Sequence, residues 1–276
     1  MTDAVPTFTI LLPVHRPPAL LRYAVRSVLW QERSDWELLI VCDGAPDATV
    51  ETARSLAAAD ARIKVFAHPK GPRLGEIYRH QALEHARGEC VAQIADDDIW
   101  FPNHLSELAQ LLRVCDFGHL THVMVRPDGF IGATLGDLTR PAVRKRILDK
   151  NQSHFGPTVW GFRLATYRAL PEGWATTPPE LGTDVYMTQK FLRHPGIRAA
   201  TRFAVTSLHF PAPGRNDMDL AQRENENRLW FERASDPERR DNITQHVCLH
   251  VVHLAREELM RRAKQIGGAR RAAADH

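Results

Sequence analysis

The amino-acid sequence predicts an α/β fold, in which a mostly parallel sheet is flanked by helices and followed by a helical C-terminal appendage. Three observations support this fold class. Short apolar runs alternate with segments of helical periodicity, polar residues follow several of the apolar runs, and the 276-residue chain suits one large domain. Strands separated by helices of this length form right-handed βαβ units with parallel strands.

The order of the elements follows from the hydrophobic pattern. Short runs of apolar residues predict strands, and apolar residues spaced three or four apart predict helices. The first strand is expected to stop at Pro13. Strands are expected at residues 8–12, 36–41, 63–66 and 91–95, with a late strand at residues 204–208. Helices are expected at residues 19–31, 48–59 and 75–86, with a fourth that begins near residue 102.

Three consecutive carboxylates, Asp96, Asp97 and Asp98, follow the fourth apolar run. Adjacent like charges raise one another's pKa and need a positive partner. A hard divalent cation, held together with a substrate phosphate, would supply that charge. The alternative is an acidic turn that caps the next helix. We assign Asp96 and Asp98 to the metal and expect Asp98 to face solvent.

Pro13 and Asp43 stand at the ends of the first two strands. Ligands of parallel sheets bind beyond the carboxyl ends of the strands, so one shared pocket is expected. The sequence has neither of the usual glycine-rich phosphate loops after its first strand. A bound diphosphate would therefore need a metal and basic side chains. Lys70, Arg73 and Arg79 are the candidates, because guanidinium groups bind phosphate well; solvated surface residues are the alternative.

Composition excludes several classes of protein. A net charge of +3 gives no indication of nucleic-acid binding. The four cysteines are scattered, which argues against a disulfide framework or a zinc knuckle. No stretch is long and apolar enough to span a bilayer, and no signal-peptide pattern opens the chain. We therefore expect a cytoplasmic protein, with peripheral contact to a membrane as one option.

Four motifs, taken together, resemble those of the family 2 glycosyltransferases, which are inverting enzymes of the GT-A fold. The resemblance covers about the first 200 residues. It includes the family's opening strand and turn, its second strand, the helix that runs from a glycine to a Gly-Glu pair, and the strand that carries the Asp-x-Asp motif. The matching segments are FTILLPVHR at 8–16, WELLIVCDGAPD at 36–47, GEIYRHQALEHARGE at 75–89 and VAQIADDDIWFP at 91–102.

The resemblance implies a role for individual residues. Asp43 is expected to contact the nucleotide base. Asp184 occupies the position of the general base at the start of a helix, with Thr183 where the family has Glu; a helix-start acid is the alternative. His209, after the late strand, is a candidate third ligand for Mn²⁺ or Mg²⁺, with a structural role as the alternative. The residues assigned to the nucleotide sugar are Pro13, His15, Asp43, Arg73, Arg79, Asp96 and Asp97.

The chain is divided into a catalytic domain, residues 1–214, and a helical extension, residues 215–276. The catalytic domain has a nucleotide-sugar-binding half, 1–101, and an acceptor half, 102–214. The extension is expected to form two helices that are separated near Asp236 and to pack on the catalytic domain or on a second subunit. Its arginine-rich end, residues 261–271, suits either an anionic lipid surface or a solvated tail. The second helix carries Ile243, Val247, Val251, Leu254 and Leu259 at helical spacing, and His246, His250 and His253 on one face, which is one pattern of zinc ligands.

These patterns predict a glycosyltransferase that moves a sugar, with inversion, from a UDP-, GDP- or dTDP-sugar to a saccharide or other hydroxyl acceptor. Two other interpretations remain. One is a sugar nucleotidyltransferase, although that class has a glycine-rich basic loop after the first strand, and here the turn is proline-rich. The other is a binding module without catalysis, against which the retention of the three adjacent acids together with Asp184 argues.

Overall fold

A seven-stranded sheet forms the centre of the protein in the computed structural model, which describes residues 5–274, with side chains for residues 5–261 and 263. The order of the strands across the sheet is β10-β6-β9-β4-β1-β2-β3. These strands are β1 (Phe8–Val14), β2 (Trp36–Asp43), β3 (Ile63–His68), β4 (Cys90–Gln93), β6 (Phe117–His119), β9 (Trp160–Arg163) and β10 (Ala199–Thr201). Two small ribbons contain β5 (Ile99–Trp100) with β11 (Ser207–Leu208), and β7 (Val123–Val125) with β8 (Ile131–Ala133).

Helices connect and cover these strands. The first four are α1 (Pro18–Leu29), α2 (Asp47–Ala59), α3 (Glu76–Glu84) and α4 (His104–Leu112). They are followed by α5 (Pro141–Lys150), α6 (Leu164–Arg168), α7 (Thr183–Arg193), α8 (Leu220–Ser235) and α9 (Pro237–Ala274). Among the described residues, no helix has the length and apolar character needed to cross a bilayer.

The fold class predicted from the sequence is confirmed. The pairs β1–β2, β2–β3, β1–β4 and β6–β10 are parallel, and only β9 runs against its two neighbours. Every residue of β2 is buried, because helices cover both faces of a parallel sheet. The sheet order places β4, β1 and β2 side by side, so their carboxyl ends lie together at one edge of the sheet.

Two predicted strand boundaries are wrong. The first strand does not stop at Pro13 but continues to Val14, still in register with β2. The pairing of β1 with β4 ends at Leu11, so a proline beyond that point removes no hydrogen bond to β4. The late strand is also shorter than predicted: only Ser207–Leu208 pairs, and it pairs with β5 outside the main sheet.

The C-terminal helices share a second hydrophobic core with the two small ribbons and α1. The Phe231 ring stacks on Trp30, the residue directly after α1, at a centroid distance of 4.7 Å. The break between α8 and α9 falls at Asp236, as predicted, and proline suits the first position of the second helix. Ile243 and Val247 are buried in this core, whereas Leu259 is 67% exposed. The apolar stripe of α9 is therefore buried only near its start. Most of the arginine-rich end lies outside the described side chains.

Candidate active site

The three adjacent carboxylates lie just beyond β4 and are all buried. Asp96 and Asp97 are 3% exposed and Asp98 is 0% exposed, so the expectation that Asp98 faces solvent is wrong. Buried carboxylates need compensating charges. The Arg16 guanidinium donates a hydrogen bond to Asp96 and lies 3.3 Å from Asp97 Oδ1. From the other side, Arg223 of α8 donates to Asp97 Oδ2 at 2.7 Å.

Asp98 is held by hydrogen bonds to the protein. Its carboxylate accepts from the Thr158 hydroxyl and from the Phe210 backbone N–H at 3.0 Å. His209 Nδ1 lies 2.9 Å from Asp98 Oδ2. Burial alone would raise the pKa of Asp98, but the His209 charge and these hydrogen bonds lower it below the ordinary value. For His209, burial acts to lower the pKa, but Asp98 raises it, which favours the imidazolium and an ion pair between these two predicted metal ligands.

Asp96 has fewer hydrogen-bond partners than Asp98. Asp96 Oδ2 is buried and has no hydrogen-bond partner in the part of the chain described here. Burial raises the pKa of both carboxyls; repulsion from Asp97 raises the pKa of Asp96 further, and repulsion from Asp98 raises that of Asp97. The Asp97 backbone carbonyl accepts from Asn227 of α8 at 2.7 Å. A cation beside Asp96 and Asp97 would relieve the repulsion and fill the vacant oxygen position.

Asp43 ends β2 and is 4% exposed. Its two oxygens accept from the Gly71 N–H and the Lys70 ammonium, each at 2.6 Å. Pro13 and His15 lie on the neighbouring strand end, in β1 and directly after it. Gly75, with a φ of 67°, caps α3 against this carboxylate. These contacts hold Asp43 in one orientation at the edge of the pocket.

We expect Gly75→Ala to disturb this arrangement. A Cβ there would lie 2.4 Å from Asp43 Cγ, and the positive φ adds backbone strain. The free energy of unfolding should fall by about 1–3 kcal/mol, and nucleotide affinity should fall with it. Gly129→Ala is the matched control, since its φ is 82° but a Cβ meets nothing within 4 Å. Urea unfolding and calorimetry on both variants test this; equal nucleotide affinity in the two would contradict it.

Two of the predicted phosphate ligands have protein partners. Arg79 is buried, donates to the Leu74 carbonyl at 3.0 Å, and has an unpartnered Nε among the described groups. Burial lowers the pKa of Arg79 to about 10, so the guanidinium stays charged at neutral pH. Arg73 has a positive φ of 54° and donates to the carbonyls of Pro179 and Leu181. It therefore joins the loop before α3 to the loop before α7.

Asp184 lies in the first turn of α7. The neighbouring Thr183 donates to Glu76 Oε1 at 2.9 Å, and Glu76 is fully buried at the start of α3. This hydrogen bond ties the start of α7 to the start of α3. Burial raises the pKa of Asp184, while the charges of Arg79 and His209 act in the opposite direction. A less acidic carboxylate is a better acceptor for a proton.

The electrostatics connect these groups into one site. The charges of Asp43 and Asp184 act to raise the pKa of Arg79. The charge of His209, which pairs with Asp98, acts to lower the pKa of Asp184. The structure thus brings together the ends of β2 and β4, the start of α7 and the segment after β11. A pocket edged by carboxylates and guanidinium groups suits a phosphate-bearing ligand that binds with a cation.

Several members of the site were missed in the sequence. They are Arg16, Glu76, Thr158, Arg223 and Asn227. The position of Arg16 directly after β1 is the signal that could have found it, because that strand end was predicted. In contrast, no local pattern marks the two residues of α8, which lie about 130 residues from Asp97 in the sequence.

The histidine face of α9 does not form a ligand cluster. His246 and His250 make edge-on contacts with the Phe130 ring, at centroid distances of 6.2 and 5.5 Å. In the described part of the chain, no group of three or more His, Cys, Asp or Glu side chains is arranged to hold a metal ion. The zinc interpretation therefore gains no support.

The architecture and the strand-end acids define a nucleotide-sugar transferase fold, and the chain belongs to glycosyl transferase family 2. The model of that family matches residues 9–170. This range includes all four predicted motifs except for Phe8, the first residue of the first motif, and ends before Asp184.

Relatives align with only part of the chain. TuaG of Bacillus subtilis, named for teichuronic acid biosynthesis, is 28% identical over 131 residues, covering 47% of this chain and 52% of TuaG. WcaA of Escherichia coli, named for colanic acid biosynthesis, is 35% identical over 101 residues, covering 37% of this chain and 36% of WcaA. The chain spans about half the length of these relatives, or less.

Solved structures share the fold. S. aureus TarS in complex with UDP-GlcNAc superposes with a TM-score of 0.57 at 17% identity, covering 74% of this chain and 58% of TarS. The mannosyltransferase PcManGT from Pyrobaculum calidifontis, in complex with GDP-Man and Mn²⁺, superposes with a TM-score of 0.54 at 18% identity, covering 92% of this chain and 71% of PcManGT. These similarities confirm the GT-A fold.

Proposed function

We propose that the protein transfers a sugar from a nucleotide diphosphate sugar to a hydroxyl acceptor, with inversion and with the help of Mn²⁺ or Mg²⁺, in the biosynthesis of a polysaccharide or other glycan. The observation that carries the proposal is the shared charged surroundings of Asp184, Arg79 and His209, of which His209 pairs with Asp98 of the buried acids. Inverting transfer needs two such groups: one carboxylate that accepts the proton of the acceptor, and a charged assembly that holds the leaving diphosphate.

The residues present fit a divalent cation. Asp96 has a buried carboxylate oxygen without a partner, and Asp97 adds a second carboxylate. A cation such as Mg²⁺ takes one or two carboxylates and completes its coordination with substrate phosphates and water, so two protein ligands suffice. When bound, such an ion would neutralise negative charge on the leaving diphosphate. Asp98 and His209, which are hydrogen-bonded to each other, would stabilise the segment that carries Asp96 and Asp97 without binding the cation.

The donor would lie along the edge formed by β1, β2 and β4. Asp43, beside Pro13 and His15, would meet the base, and Arg79, which has an unpartnered Nε among the described groups near Asp43 and Asp184, would meet the diphosphate. UDP-GlcNAc and GDP-Man are donors bound by structural neighbours, the second with Mn²⁺. These neighbours support nucleotide sugars as the ligand class.

Asp184 would accept the acceptor's proton as the hydroxyl oxygen attacks the anomeric carbon. This role requires the carboxylate to be ionised, and burial raises its pKa. Activity should therefore be full above that pKa and decline as the pH falls through it, at a higher pH than an ordinary aspartate would give. A profile of turnover against pH, with substrate saturating, tests this. Constant turnover down to the ordinary range of aspartate would contradict it.

Three candidate functions are separated by one set of measurements. UDP-, GDP- and dTDP-sugars are screened by thermal shift with Mn²⁺, and the donor that binds is incubated with and without saccharide acceptors. A transferase releases nucleoside diphosphate faster with acceptor and gives a product of inverted anomeric configuration by NMR. A nucleotidyltransferase would form nucleotide sugar and pyrophosphate from a nucleoside triphosphate and a sugar phosphate, and a silent module would bind without turnover. Either of these outcomes would overturn the proposal.

Arg223 allows a test of the role of α8. Its guanidinium is one of two beside Asp97, so its loss leaves less positive charge to attract a diphosphate. We expect Arg223→Gln to weaken binding of UDP or GDP, measured by calorimetry with a chelator present, by about tenfold, the scale of a charge-assisted hydrogen bond. Arg228→Gln is the control on the same helix, because Arg228 pairs with Glu232. Equal losses in both variants would show a general charge effect instead.

A further inference from the structure

A separate cavity of about 620 Å³ lies where the end of α8 and the start of α9 meet the β7–β8 hairpin. Its volume is in the range of small-molecule binding pockets, about 300–1,000 Å³. The buried side chains of Trp230 and Ile243 form its floor, and Phe130 of the hairpin turn forms one wall. None of its lining residues comes from β1, β2, β4 or α7, so it is distinct from the site described above.

The polar lining of the cavity is basic. Arg233, Arg239, His246 and Asn242 line it, and no carboxylate does. Neither guanidinium forms an ion pair with any residue in the described part of the chain. The Arg233 guanidinium carbon lies 4.6 Å from the Trp230 ring centroid, a contact that leaves its N–H groups available.

The acids close in sequence to these arginines are Glu232, Asp236, Glu238 and Asp241, and none of them lines the cavity. Glu232 accepts from Arg228 at 2.8 Å, and the Asp236 side chain accepts from the Arg239 backbone N–H at 2.9 Å. The positive charge of the two arginines that line the cavity is therefore not neutralised by an ion pair with these acids. An anionic ligand is the natural complement of two free guanidinium groups.

The aromatic wall indicates that the ligand also has a flat, weakly polar face. Phe130 is 41% exposed, although it is a large apolar side chain. Its ring is fixed edge-on against His246 and His250. An aromatic ring can pack against the C–H face of a sugar, while neighbouring amide and guanidinium groups bind the polar groups of the same sugar. An inorganic anion would use the arginines but gain nothing from the ring.

We propose that this cavity binds an acidic, carboxylate-bearing saccharide unit of the acceptor chain, at a distance from the reacting end. The proposal rests on the proposed function. α8 contacts Asp97 through Arg223 and lines the cavity through Arg233, ten residues later, which corresponds to about 15 Å of helix. One helix thus joins the two sites, and an extended saccharide could occupy both.

The test uses tetragalacturonic acid as the probe and maltotetraose as the neutral control of equal length. Binding to the full chain is measured by calorimetry at low salt. We expect saturable binding of the acidic probe in the micromolar to millimolar range and much weaker binding of maltotetraose. Arg233→Gln combined with Arg239→Gln should weaken binding of the acidic probe by at least about tenfold, and Phe130→Ala by a smaller factor. Arg228→Gln, the control on α8, should bind like the wild type.

Three results would overturn the proposal: no saturable binding by the wild type, equal affinity for maltotetraose, or unchanged affinity in the double arginine variant. Inorganic phosphate that competes as well as the tetrasaccharide, at equal concentration, would also overturn it, because the ring would then contribute nothing. Both arginines are exposed, so the variants should keep the wild-type unfolding temperature. Binding of UDP and GDP is measured on the same samples. If the wild type binds nucleotide normally but does not bind the probe, this proposal alone is rejected; if the wild type binds no nucleotide, the proposed function is rejected.

Discussion

Asp184→Asn should lower the rate of sugar transfer by about 10²–10⁴-fold, the usual contribution of general acid–base catalysis, while donor affinity changes little. Asparagine keeps the shape of the side chain but cannot accept the acceptor's proton. The measurement is turnover with saturating acceptor, combined with donor affinity by calorimetry on the same preparation.

A role limited to the start of the helix makes a different prediction. Asparagine serves helix starts about as well as aspartate, so transfer by the variant would then stay close to the wild-type rate. Asp47→Asn is the matched control, because Asp47 lies in the first turn of α2 and is exposed. A normal rate for both variants would remove Asp184 from catalysis. A loss confined to Asp184→Asn, with donor affinity kept, would assign it the base.

The part of the fold that the sequence predicts well is the part with local signals. The strands β1 to β4 are short apolar runs with helices between them, and their order requires right-handed parallel connections. The acids at their ends could be located for the same reason, because a residue at the carboxyl end of a buried parallel strand lies at a known edge of the sheet. Hence Asp43 and Asp96 were placed at one edge without any knowledge of their contacts.

The burial of the acids and their partners could not be predicted in this way. Arg223 and Asn227 reach Asp97 from α8, a helix whose own sequence is largely polar. Which of its faces meets the sheet edge depends on the packing of Phe231 against Trp30, a long-range contact. The assignment of residues 215–276 to a separate extension stays a prediction, although α8 completes the surroundings of Asp97.

Burial also changes what substitution of the acids should do. Without the structure, Asp98→Ala is expected to abolish metal-dependent nucleotide binding and to leave the fold intact, as for a solvent-facing acid. In the structure, this change would leave the Thr158 hydroxyl, the Phe210 N–H and the protonated His209 without their acceptor. Removal of one partner of a buried ion pair costs about 3–5 kcal/mol. We therefore expect Asp98→Ala to lower the free energy of unfolding by about that amount.

Asp96→Asn should have the opposite pattern. Its second oxygen has no partner to lose, repulsion with Asp97 is relieved, and Arg16 remains 3.3 Å from Asp97. Stability should thus change by less than about 1 kcal/mol. The gain in nucleotide affinity that Mn²⁺ provides should fall by about 100-fold, since loss of even an outer-shell partner costs a metal site 10–100-fold in affinity.

Calorimetry of UDP or GDP with Mn²⁺ and with a chelator, together with urea unfolding, measures both quantities on both variants. If Asp96→Asn keeps the full Mn²⁺-dependent gain, the cation does not bind at Asp96. If Asp98→Ala is as stable as the wild type, the hydrogen bonds around Asp98 do not support the fold. A stable Asp96→Asn protein without the metal effect, beside an unstable Asp98→Ala protein, would separate a metal-binding acid from a structural one, because Asp96 has an oxygen without a partner among the described residues, whereas Asp98 is held by Thr158, His209 and Phe210.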